Sequence, residues 1–346
     1  MKAIVINTPG ELTLKEIERP NPAPGEVLVQ LKFVGFCGSD LSTYLGKNPM
    51  VAYPRIPGHE ISGRIEELGE GVPEGYAIGD AVTVVPYTNC GKCASCRRGR
   101  TYACRNNQTL GVQRHGAMQE YISVPWEKIL QAPGLNELEL AMVEPLTVGF
   151  HAIRRGRVEP SDVLMVLGCG MIGAGAIAGA AGRGARVIAV DIDDHKLELA
   201  SLLGASHLIN SLSSDLHAEL ERLTGGDGPD VVIEAAGNPQ TYRAAVDEVA
   251  FTGRVVCIGY AGSEVSFATK LFVQKEIDIL GSRNASPEDF REVIAYLEQG
   301  IFPLDRMISE KVLPEDASRA VKQWAGDPGK VMKILVNFKP KSTKYE

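Results

Sequence analysis

Residues 163–173 read VLMVLGCGMIG, an apolar run that passes directly into a Gly-x-Gly-x-x-Gly turn. Short uncharged runs of this kind are typical of strands buried on both faces of a parallel sheet. Glycines spaced as Gly168, Gly170 and Gly173 are, between a strand and a helix, form a dinucleotide-binding turn. The stretch therefore predicts the first strand, turn and helix of a doubly wound α/β domain that binds a dinucleotide.

The chain after this turn continues to alternate between strand and helix. Apolar runs at 186–190, 231–234, 254–258 and 277–281 are predicted to be further buried parallel strands. Asp191 follows the first of these runs, where a carboxylate accepts hydrogen bonds from the adenosine ribose and repels a 2′-phosphate. The sequence thus predicts NAD rather than NADP. A carboxylate at a helix N-terminus is the alternative role for Asp191.

One uncharged stretch has the length of a membrane span. Val163 to Gly182 is twenty residues long, and about 20 apolar residues cross a bilayer. Six of these residues are glycine, and Asp162 and Arg183 bound the run tightly, so the doubly wound domain explains it better. We predict no membrane segment. The N-terminus has no long apolar core with a cleavage site, so the cytoplasm is the expected location.

The first third of the chain is predicted to be rich in short strands. The expected strands are 3–6, 12–16, 27–34, 61–68 and 81–86. Near the other end, Ser286 is expected to cap a helix over 287–299. Residues 301–346, with an apolar run at 331–338, are expected to return as strand and helix to the first domain.

Two ligand-bearing groups follow the third predicted strand: Cys37-Gly38-Ser39-Asp40 and Gly58-His59-Glu60. A thiolate, an imidazole and a carboxylate are ligands that zinc accepts, and three protein ligands leave a fourth position open. On two residues alone, a buried cysteine and a lone surface histidine would be the favoured alternative. The remaining motifs of the chain favour the metal site.

A second cysteine group is the most specific motif in the sequence. Cys90, Cys93 and Cys96 are separated by two-residue gaps, and Cys104 follows. Four thiolates can close a tetrahedron around a structural Zn²⁺, which in a reducing compartment is favoured over disulfides. An iron–sulfur cluster is the minor alternative.

The composition is that of an ordinary globular protein. The chain has 346 residues, of which 44% are hydrophobic and 23% charged, and its net charge is −7. This length is enough for two domains with sizeable cores. The net negative charge does not indicate a basic surface that would bind nucleic acid or an anionic membrane, so a small-molecule substrate is expected.

Taken together, these motifs resemble the zinc-dependent medium-chain alcohol dehydrogenases over essentially the whole chain. Residues 58–72, GHEISGRIEELGEGV, fit the zinc signature of that family at every fixed position. The resemblance implies an α/β fold with a GroES-like β-rich catalytic domain, residues 1–150 and 285–346, and a Rossmann NAD-binding domain, residues 151–284. It implies an active site in the cleft between them, two zinc ions per chain, and a homo-oligomer, either dimer or tetramer.

Residues 144–151, EPLTVGFH, are similar to a segment of polyol (sorbitol-type) dehydrogenases that supplies a second carboxylate at the zinc. The resemblance implies that Cys37 and His59 are zinc ligands, with Glu60 and Glu144 as ligand or water-bridged partner. The sequence does not choose between these two carboxylates. Taken alone, Glu144 would be a carboxylate at a helix start next to proline.

The resemblance also suggests a proton path. Ser39 resembles the hydroxyl that receives the proton of the substrate, and a turn-capping serine is the alternative. Ser42 stands where many relatives carry histidine, so the end of the relay is open. In the loop Arg114-His115, a histidine stands where an acidic residue is expected by analogy, and we expect both residues to be exposed.

The function implied is the zinc- and NAD-dependent oxidation of a secondary alcohol in a polyol, sugar or hexonate-like sugar acid to the ketone, by hydride transfer. The alternatives are amino-alcohol oxidation like that of L-threonine 3-dehydrogenase, and a zinc-binding relative without turnover. Arg283 is a candidate fork for a substrate carboxylate, or else a contact to the cofactor pyrophosphate or an interdomain salt bridge. The predicted cofactor contacts are Gly168, Gly170, Ile172, Gly173, Asp191, Lys196, Ile258, Gly259, Ser282 and Arg283.

Overall fold

The computed structural model describes residues 1–338, which form two compact units. The first consists of Met1–Glu144 and the chain from Ile294 to the end of the described residues, and the second of Pro145–Val293. We keep the domain boundaries expected from the sequence, 150/151 and 284/285, as a proposal. The part of the C-terminal prediction that concerns residues 339–346 lies outside the described residues.

The strands, in chain order, are β1 (Lys2–Thr8), β2 (Glu11–Glu16), β3 (Glu26–Phe36), β4 (Glu60–Leu68), β5 (Ala81–Val84), β6 (Tyr121–Pro125), β7 (Ile129–Gln131), β8 (Val163–Leu167), β9 (Arg186–Asp191), β10 (His207–Asn210), β11 (Val231–Glu234), β12 (Arg254–Cys257), β13 (Asp278–Gly281), β14 (Glu310–Val312) and β15 (Ile334–Asn337). The helices are α1 (Gly38–Tyr44), α2 (Ala94–Arg97), α3 (Glu137–Arg155), α4 (Met171–Gly182), α5 (Asp194–Leu202), α6 (Leu216–Thr224), α7 (Pro239–Glu248), α8 (Lys270–Gln274), α9 (Pro287–Leu297), α10 (Leu304–Met307) and α11 (Ala317–Gly326). None of the helices within residues 1–338 is both long enough and apolar enough to span a membrane.

The first unit is organised around the long strand β3. The sheet has the order β14-β15-β3-β4-β5-β7, while β6 pairs with the first half of β3 and β1 pairs with β2 separately. Val29 and Leu31 of β3 point into the main core, whereas Phe33 packs with Ala141 and Leu335 in a smaller cluster. β3 is therefore covered on both faces as it approaches Cys37.

The second unit is a parallel sheet with the strand order β10-β9-β8-β11-β12-β13. The order reverses between β8 and β11, which is the position where doubly wound folds bind ligands at the carboxyl ends of their strands. Its register aligns those ends: Leu167 lies opposite Val190 and Glu234, and Cys257 lies opposite Glu234 and Gly281. The residues that follow these strands therefore lie along one edge of the sheet.

One strand of this sheet was not predicted. β10 pairs only with β9 and forms an edge of the sheet. Of its four residues only Ile209 is buried, so its sequence lacks the continuous apolar run that marks the central strands. The helix expected after Ser286 is confirmed, since Asp289 N donates to Ser286 Oγ at 3.3 Å.

Glycines allow the second half of α3 to approach α4 closely. A Cβ atom on Gly149 would lie 2.2 Å from the backbone nitrogen of Ala176, and one on Gly175 would lie 2.5 Å from the carbonyl oxygen of Leu146. Real Cβ atoms do not approach backbone atoms so closely, so these helices are in contact through their backbones. Gly182, at the end of α4, has nothing within 4 Å of the corresponding position.

We predict that Gly149→Ala lowers the free energy of unfolding by about 1–3 kcal/mol, because the helices must separate to make room for the methyl group. Gly182→Ala is the matched control, and its effect should lie between neutral and about 1 kcal/mol of stabilisation, since alanine is the better helix former. Thermal and urea unfolding of both variants measures the difference. Equal stability of the two variants would contradict the close helix contact.

Candidate active site

The pairing of β3 with β4 brings the two predicted ligand segments together. Gly35 of β3 lies opposite Glu60 of β4, Cys37 follows the end of β3, and His59 directly precedes β4. A Cβ atom on Gly35 would lie 1.9 Å from Oε2 of Glu60. Glycine at this position therefore leaves the space that the Glu60 carboxylate occupies beside Cys37 and His59.

Three donor groups meet at this point. One ligand atom each of Cys37, His59 and Glu60 lies within 4.8 Å of the others. Zinc bonds of about 2.0–2.3 Å place the atoms of a tetrahedral ligand set about 3–4 Å apart, so small movements suffice to hold an ion. His59 is 5% exposed, and its Nδ1 is buried without a hydrogen-bond partner within residues 1–338. This burial contradicts the alternative of a lone surface histidine.

The charges around His59 also favour a cation. Burial alone would lower the pKa of the imidazole, but Cys37, which is hydrogen-bonded to it, together with Glu144 and Asp40, raises that pKa well above its ordinary range. Burial raises the pKa of the carboxyl groups of Asp40 and Glu144. Acidic side chains outnumber basic ones around the imidazole, and a bound divalent cation would favour their ionised forms.

Asp40 connects the two ligand segments. Its Oδ2 accepts a hydrogen bond from Cys37 N at 2.9 Å, and its Oδ1 accepts one from Gly58 N at 3.3 Å. The side chain is 2% exposed. Asp40 therefore fixes the backbone beside Cys37 relative to the backbone beside His59.

Glu60 is held by a buried lysine. Lys333 Nζ lies 2.5 Å from Oε1 and 2.6 Å from Oε2 of Glu60, and it also donates to the carbonyl oxygen of Phe36 at 3.2 Å. The side chains of Lys333 and Glu60 are 2% and 1% exposed. Both carboxylate oxygens that could bind a metal are thus already engaged by an ammonium group.

Glu144 has a different environment. It lies inside α3, which begins at Glu137, so the interpretation of Glu144 as a carboxylate at a helix start is wrong. Asn136 caps that helix instead, since its Oδ1 accepts from Leu138 N and Glu139 N. The Tyr87 hydroxyl donates a short hydrogen bond to Glu144 Oε1. Glu144 lies outside the group formed by Cys37, His59 and Glu60, and the choice of carboxylate ligand stays a prediction.

Ser39 lies in the first turn of α1. Its hydroxyl oxygen is buried and has no hydrogen-bond partner within the described residues. The alternative of a turn-capping serine is therefore wrong, because a cap requires that hydroxyl to bind a backbone group. An unused hydroxyl beside the ligand group can accept a hydrogen bond from a substrate hydroxyl and relay its proton by releasing its own.

The four cysteines of the second group form a closed cluster. The sulfur atoms of Cys93 and Cys96 are 3.5 Å apart, those of Cys93 and Cys104 3.8 Å, and those of Cys104 and Cys90 3.6 Å. A tetrahedron with Zn–S bonds of about 2.3 Å has an edge of about 3.8 Å, whereas a disulfide requires about 2.05 Å. The hydrogen bond with Ser95 lowers the pKa of Cys93 to about 5. Burial raises the pKa of Cys96 to about 11, so it is the distances between the sulfur atoms that indicate four thiolates around one zinc ion.

The candidate dinucleotide site lies at the carboxyl edge of the parallel sheet. Gly168 has φ +93°, and Gly173 approaches it so closely that a Cβ atom on Gly173 would lie 1.9 Å from Gly168 O. Gly170 caps α4 without a side chain and has nothing within 4 Å of its Cβ position. The N-terminus of α4 is therefore open to a pyrophosphate, which its backbone N–H groups would bind.

Asp191 ends β9 beside this turn. Its Oδ2 accepts from Cys169 N at 2.7 Å, and its Oδ1 accepts from Ile192 N at 2.8 Å. The N-cap of α5 is Asp193, so the alternative role of Asp191 as a helix N-terminal carboxylate is wrong. The predicted contacts Ile258 and Gly259 follow β12, and Ser282 and Arg283 follow β13, all at the same sheet edge, while Lys196 lies in the first turn of α5. Their roles toward the cofactor stay predictions.

Comparison with known proteins assigns the chain to a family. The family described as "Zinc-binding dehydrogenase" matches residues 172–299, and the "Alcohol dehydrogenase GroES-like domain" matches residues 23–134. L-galactonate-5-dehydrogenase of Escherichia coli K12 is 35% identical over 311 residues, which cover 90% of this chain and 91% of the relative. The chain belongs to the zinc-type alcohol dehydrogenases.

Two further comparisons place it within that family. Sorbitol dehydrogenase of Halalkalibacterium halodurans is 35% identical over 306 residues, covering 86% of this chain and 89% of the relative. An alcohol dehydrogenase from E. coli CFT073, solved with bound NADH, has a TM-score of 0.90 at 31% identity and covers 97% of this chain and 99% of its own. The family, its polyol-dehydrogenase-like branch and the fold class predicted from the sequence are thus confirmed, as is the prediction of an NAD-dependent, zinc-containing oxidoreductase.

Three residues of the dehydrogenase site were not found by sequence reasoning. Lys333 carries a usable signal, because it is a single charge within the apolar run 331–336. Asp40 occupies the third position after the helix N-cap, where a capping side chain is common. Tyr87 has no feature in the sequence that connects it to Glu144.

We predict two zinc ions per chain, one needed for activity and the other for the stability of the fold. Cys37→Ser should keep the structural zinc and the fold but lose dehydrogenase activity, because the other four thiolates are intact. Cys104→Ser is the matched variant and should lose the structural zinc and unfold at a lower temperature. Metal analysis and thermal unfolding test both. The same loss of stability in the two variants would contradict the division into a catalytic and a structural site.

We predict that Lys333→Met destabilises the fold by about 3–5 kcal/mol, because it leaves the Glu60 carboxylate buried without a counter-charge. The double variant Lys333→Met/Glu60→Gln removes that charge as well and should recover much of the loss. Lys322→Met, on an exposed face of α11, is the control and should change stability by less than about 0.5 kcal/mol. Chemical unfolding gives the free energy of unfolding of all three variants. If Lys333→Met were as stable as the unmodified protein, the ion pair would contribute nothing to stability.

Proposed function

We propose that this dehydrogenase oxidises a secondary hydroxyl of a polyol or sugar acid to the ketone, with zinc and NAD as cofactors. The observation that carries the proposal is the convergence of a thiolate, an imidazole and a carboxylate on one point, with fewer protein ligands than zinc accepts. The relatives act on such substrates: one is named for L-galactonate and another for sorbitol. A polyhydroxylated substrate class is therefore supported over simple alcohols.

Residues of the first unit handle the substrate hydroxyl. Cys37 and His59, with Glu60 or Glu144, would hold the catalytic zinc, which lowers the pKa of a coordinated hydroxyl when bound. Ser39 is proposed to take up the proton while it releases its own to the next group of the relay, because its oxygen is buried and has no partner within the described residues. Asp40 keeps the ligand segments in place through its two backbone hydrogen bonds.

Residues of the second unit would bind NAD. The open N-terminus of α4, at Gly170, is proposed to hold the pyrophosphate, and Asp191 the adenosine ribose. Nicotinamide bound by this domain supplies the hydride acceptor. Asp191 already accepts hydrogen bonds from backbone N–H groups, which fix the orientation in which its remaining lone pairs meet the ribose.

We also propose that the enzyme is a cytoplasmic homo-oligomer, as the family resemblance implies. Sedimentation of the zinc-loaded protein would give its mass in solution. The mass of a monomer at micromolar protein concentration would contradict the proposed oligomer but would not affect the proposed activity.

The activity is tested by following NADH formation at 340 nm with L-galactonate, sorbitol, galactitol and L-threonine. Oxidation of one or more of the sugar-derived compounds, abolished by a mild chelator and restored by zinc, is the expected result. If L-threonine were oxidised in preference to the sugar-derived compounds, the protein would be an amino-alcohol dehydrogenase instead. Turnover that survives removal of the catalytic zinc would contradict the proposal.

We predict that Asp191→Ala raises the KM for NAD roughly tenfold or more, because a charge-assisted hydrogen bond is lost. The substitution should also reduce the preference of the enzyme for NAD over NADP, since the 2′-phosphate of NADP is no longer repelled by a carboxylate. Asp194→Ala removes a nearby charge on the exposed start of α5 and is the control. Equal use of NAD and NADP by the unmodified enzyme would show that Asp191 does not select the cofactor.

A further inference from the structure

The first unit contains a buried arginine without a counter-ion. Arg55 is 9% exposed, and its guanidinium donates to no acceptor and pairs with no carboxylate within residues 1–338. The Nε atom is buried outright. The buried Nε has lost the solvation of water without gaining a protein partner, which is costly unless a ligand supplies the missing acceptor.

His115 stands next to this arginine and adds another donor. Ile56 N donates to His115 Nδ1 at 3.1 Å, so the ring carries its proton on Nε2. Burial, and then the charge of Arg55, lowers the pKa of His115. His115 is exposed, as expected, whereas Arg114 beside it is half-buried and has a buried Nε. The pair of Arg55 and His115 presents N–H donors and a positive charge without an acceptor, and this is the chemistry that binds anionic oxygens.

The backbone ties this pair to the zinc ligand. Gly116 N donates to Ile56 O at 2.8 Å and Ala117 N donates to Gly58 O at 2.9 Å, so residues 55–58 run beside residues 115–118. A Cβ atom on Gly116 would lie 2.3 Å from Gly58 O, so no side chain separates the two segments. Arg55 precedes His59 by four residues, which span at most about 14 Å.

We infer that Arg55 and His115 form a subsite for an anionic group of the substrate, such as the carboxylate of a sugar acid. The inference rests on the proposed function, because it assigns one end of the substrate to this pair and the oxidised hydroxyl to the site of Cys37 and His59. A phosphate ester offers the same anionic oxygens. Neutral polyols would leave the two donors without a partner.

His115→Asp tests this subsite without emptying it. The new carboxylate would lie beside Arg55 and pair with it internally, so the fold should be as stable as before or more so. The preference for L-galactonate over galactitol, as the ratio of kcat/KM values, should fall at least about tenfold, with the KM for NAD and the rate on galactitol unchanged. Gln108→Asp adds the same charge at an exposed position of the same unit and should leave the ratio unchanged.

Calorimetric titration of the zinc-loaded enzyme with L-galactonate, and separately with galactitol 1-phosphate, separates the subsite from catalysis. If the two anionic ligands bind His115→Asp more weakly than the unmodified enzyme, the subsite is supported even when neither compound is oxidised. Whichever ligand the unmodified enzyme binds more tightly shows whether the subsite prefers a carboxylate or a phosphate. Equal binding of both ligands to the two proteins would overturn it. So would a loss of acid preference in Arg283→Ala but not in His115→Asp, because the carboxylate would then bind Arg283.

Discussion

The buried ion pair of Lys333 and Glu60 is the interaction on which the candidate zinc site depends. Glu60 begins β4 beside His59, and Lys333 directly precedes β15, which pairs with the end of β3 before Cys37. The same lysine donates to Phe36 O, one residue from Cys37. Without the positive charge of Lys333, the buried Glu60 carboxylate would lie next to the half-buried sulfur of Cys37 without a counter-charge, which disfavours an ionised ligand pair. The late return of the chain into the first sheet is therefore an electrostatic requirement of the site as well as a feature of the fold.

This pair also separates the two carboxylates that could serve the metal. Glu60 is closer to Cys37 and His59 but is held by an ammonium group, whereas Glu144 is held by the neutral Tyr87 hydroxyl. A carboxylate loses less interaction energy when it leaves a neutral phenol for a metal ion than when it leaves a lysine ammonium group. This difference favours Glu144 as the carboxylate that binds and releases the zinc. At the four-cysteine site, Cys90 N donates a hydrogen bond to the sulfur of Cys104, and a bound zinc ion would supply the positive charge.

The sequence was informative where chemistry depends on local spacing. The cysteines from 90 to 104 lie in one short segment, and the glycines from 168 to 173 and Asp191 follow or end single strands, so spacing alone predicted these motifs. The central strands of the parallel sheet were predictable for the same reason, since burial on both faces leaves a continuous apolar run. The edge strand β10 has no such run and was missed. The roles of Lys333 and Tyr87 depend on contacts between distant segments, as does the burial of the Arg55 Nε, which has no partner within residues 1–338. The environment of Glu144 was missed because Asn136 caps a helix that begins well before Pro145.

The most direct test of this account is anomalous X-ray diffraction at the zinc edge from crystals of the unmodified enzyme. The account predicts two peaks in each chain, one bonded to the four sulfur atoms of Cys90, Cys93, Cys96 and Cys104, the other to Cys37 and His59 with Lys333 still paired to Glu60. A single peak at the four cysteines in active enzyme would contradict it. So would a second zinc that lies away from Cys37 and His59, because the proposed catalytic ligand set would then not bind the metal.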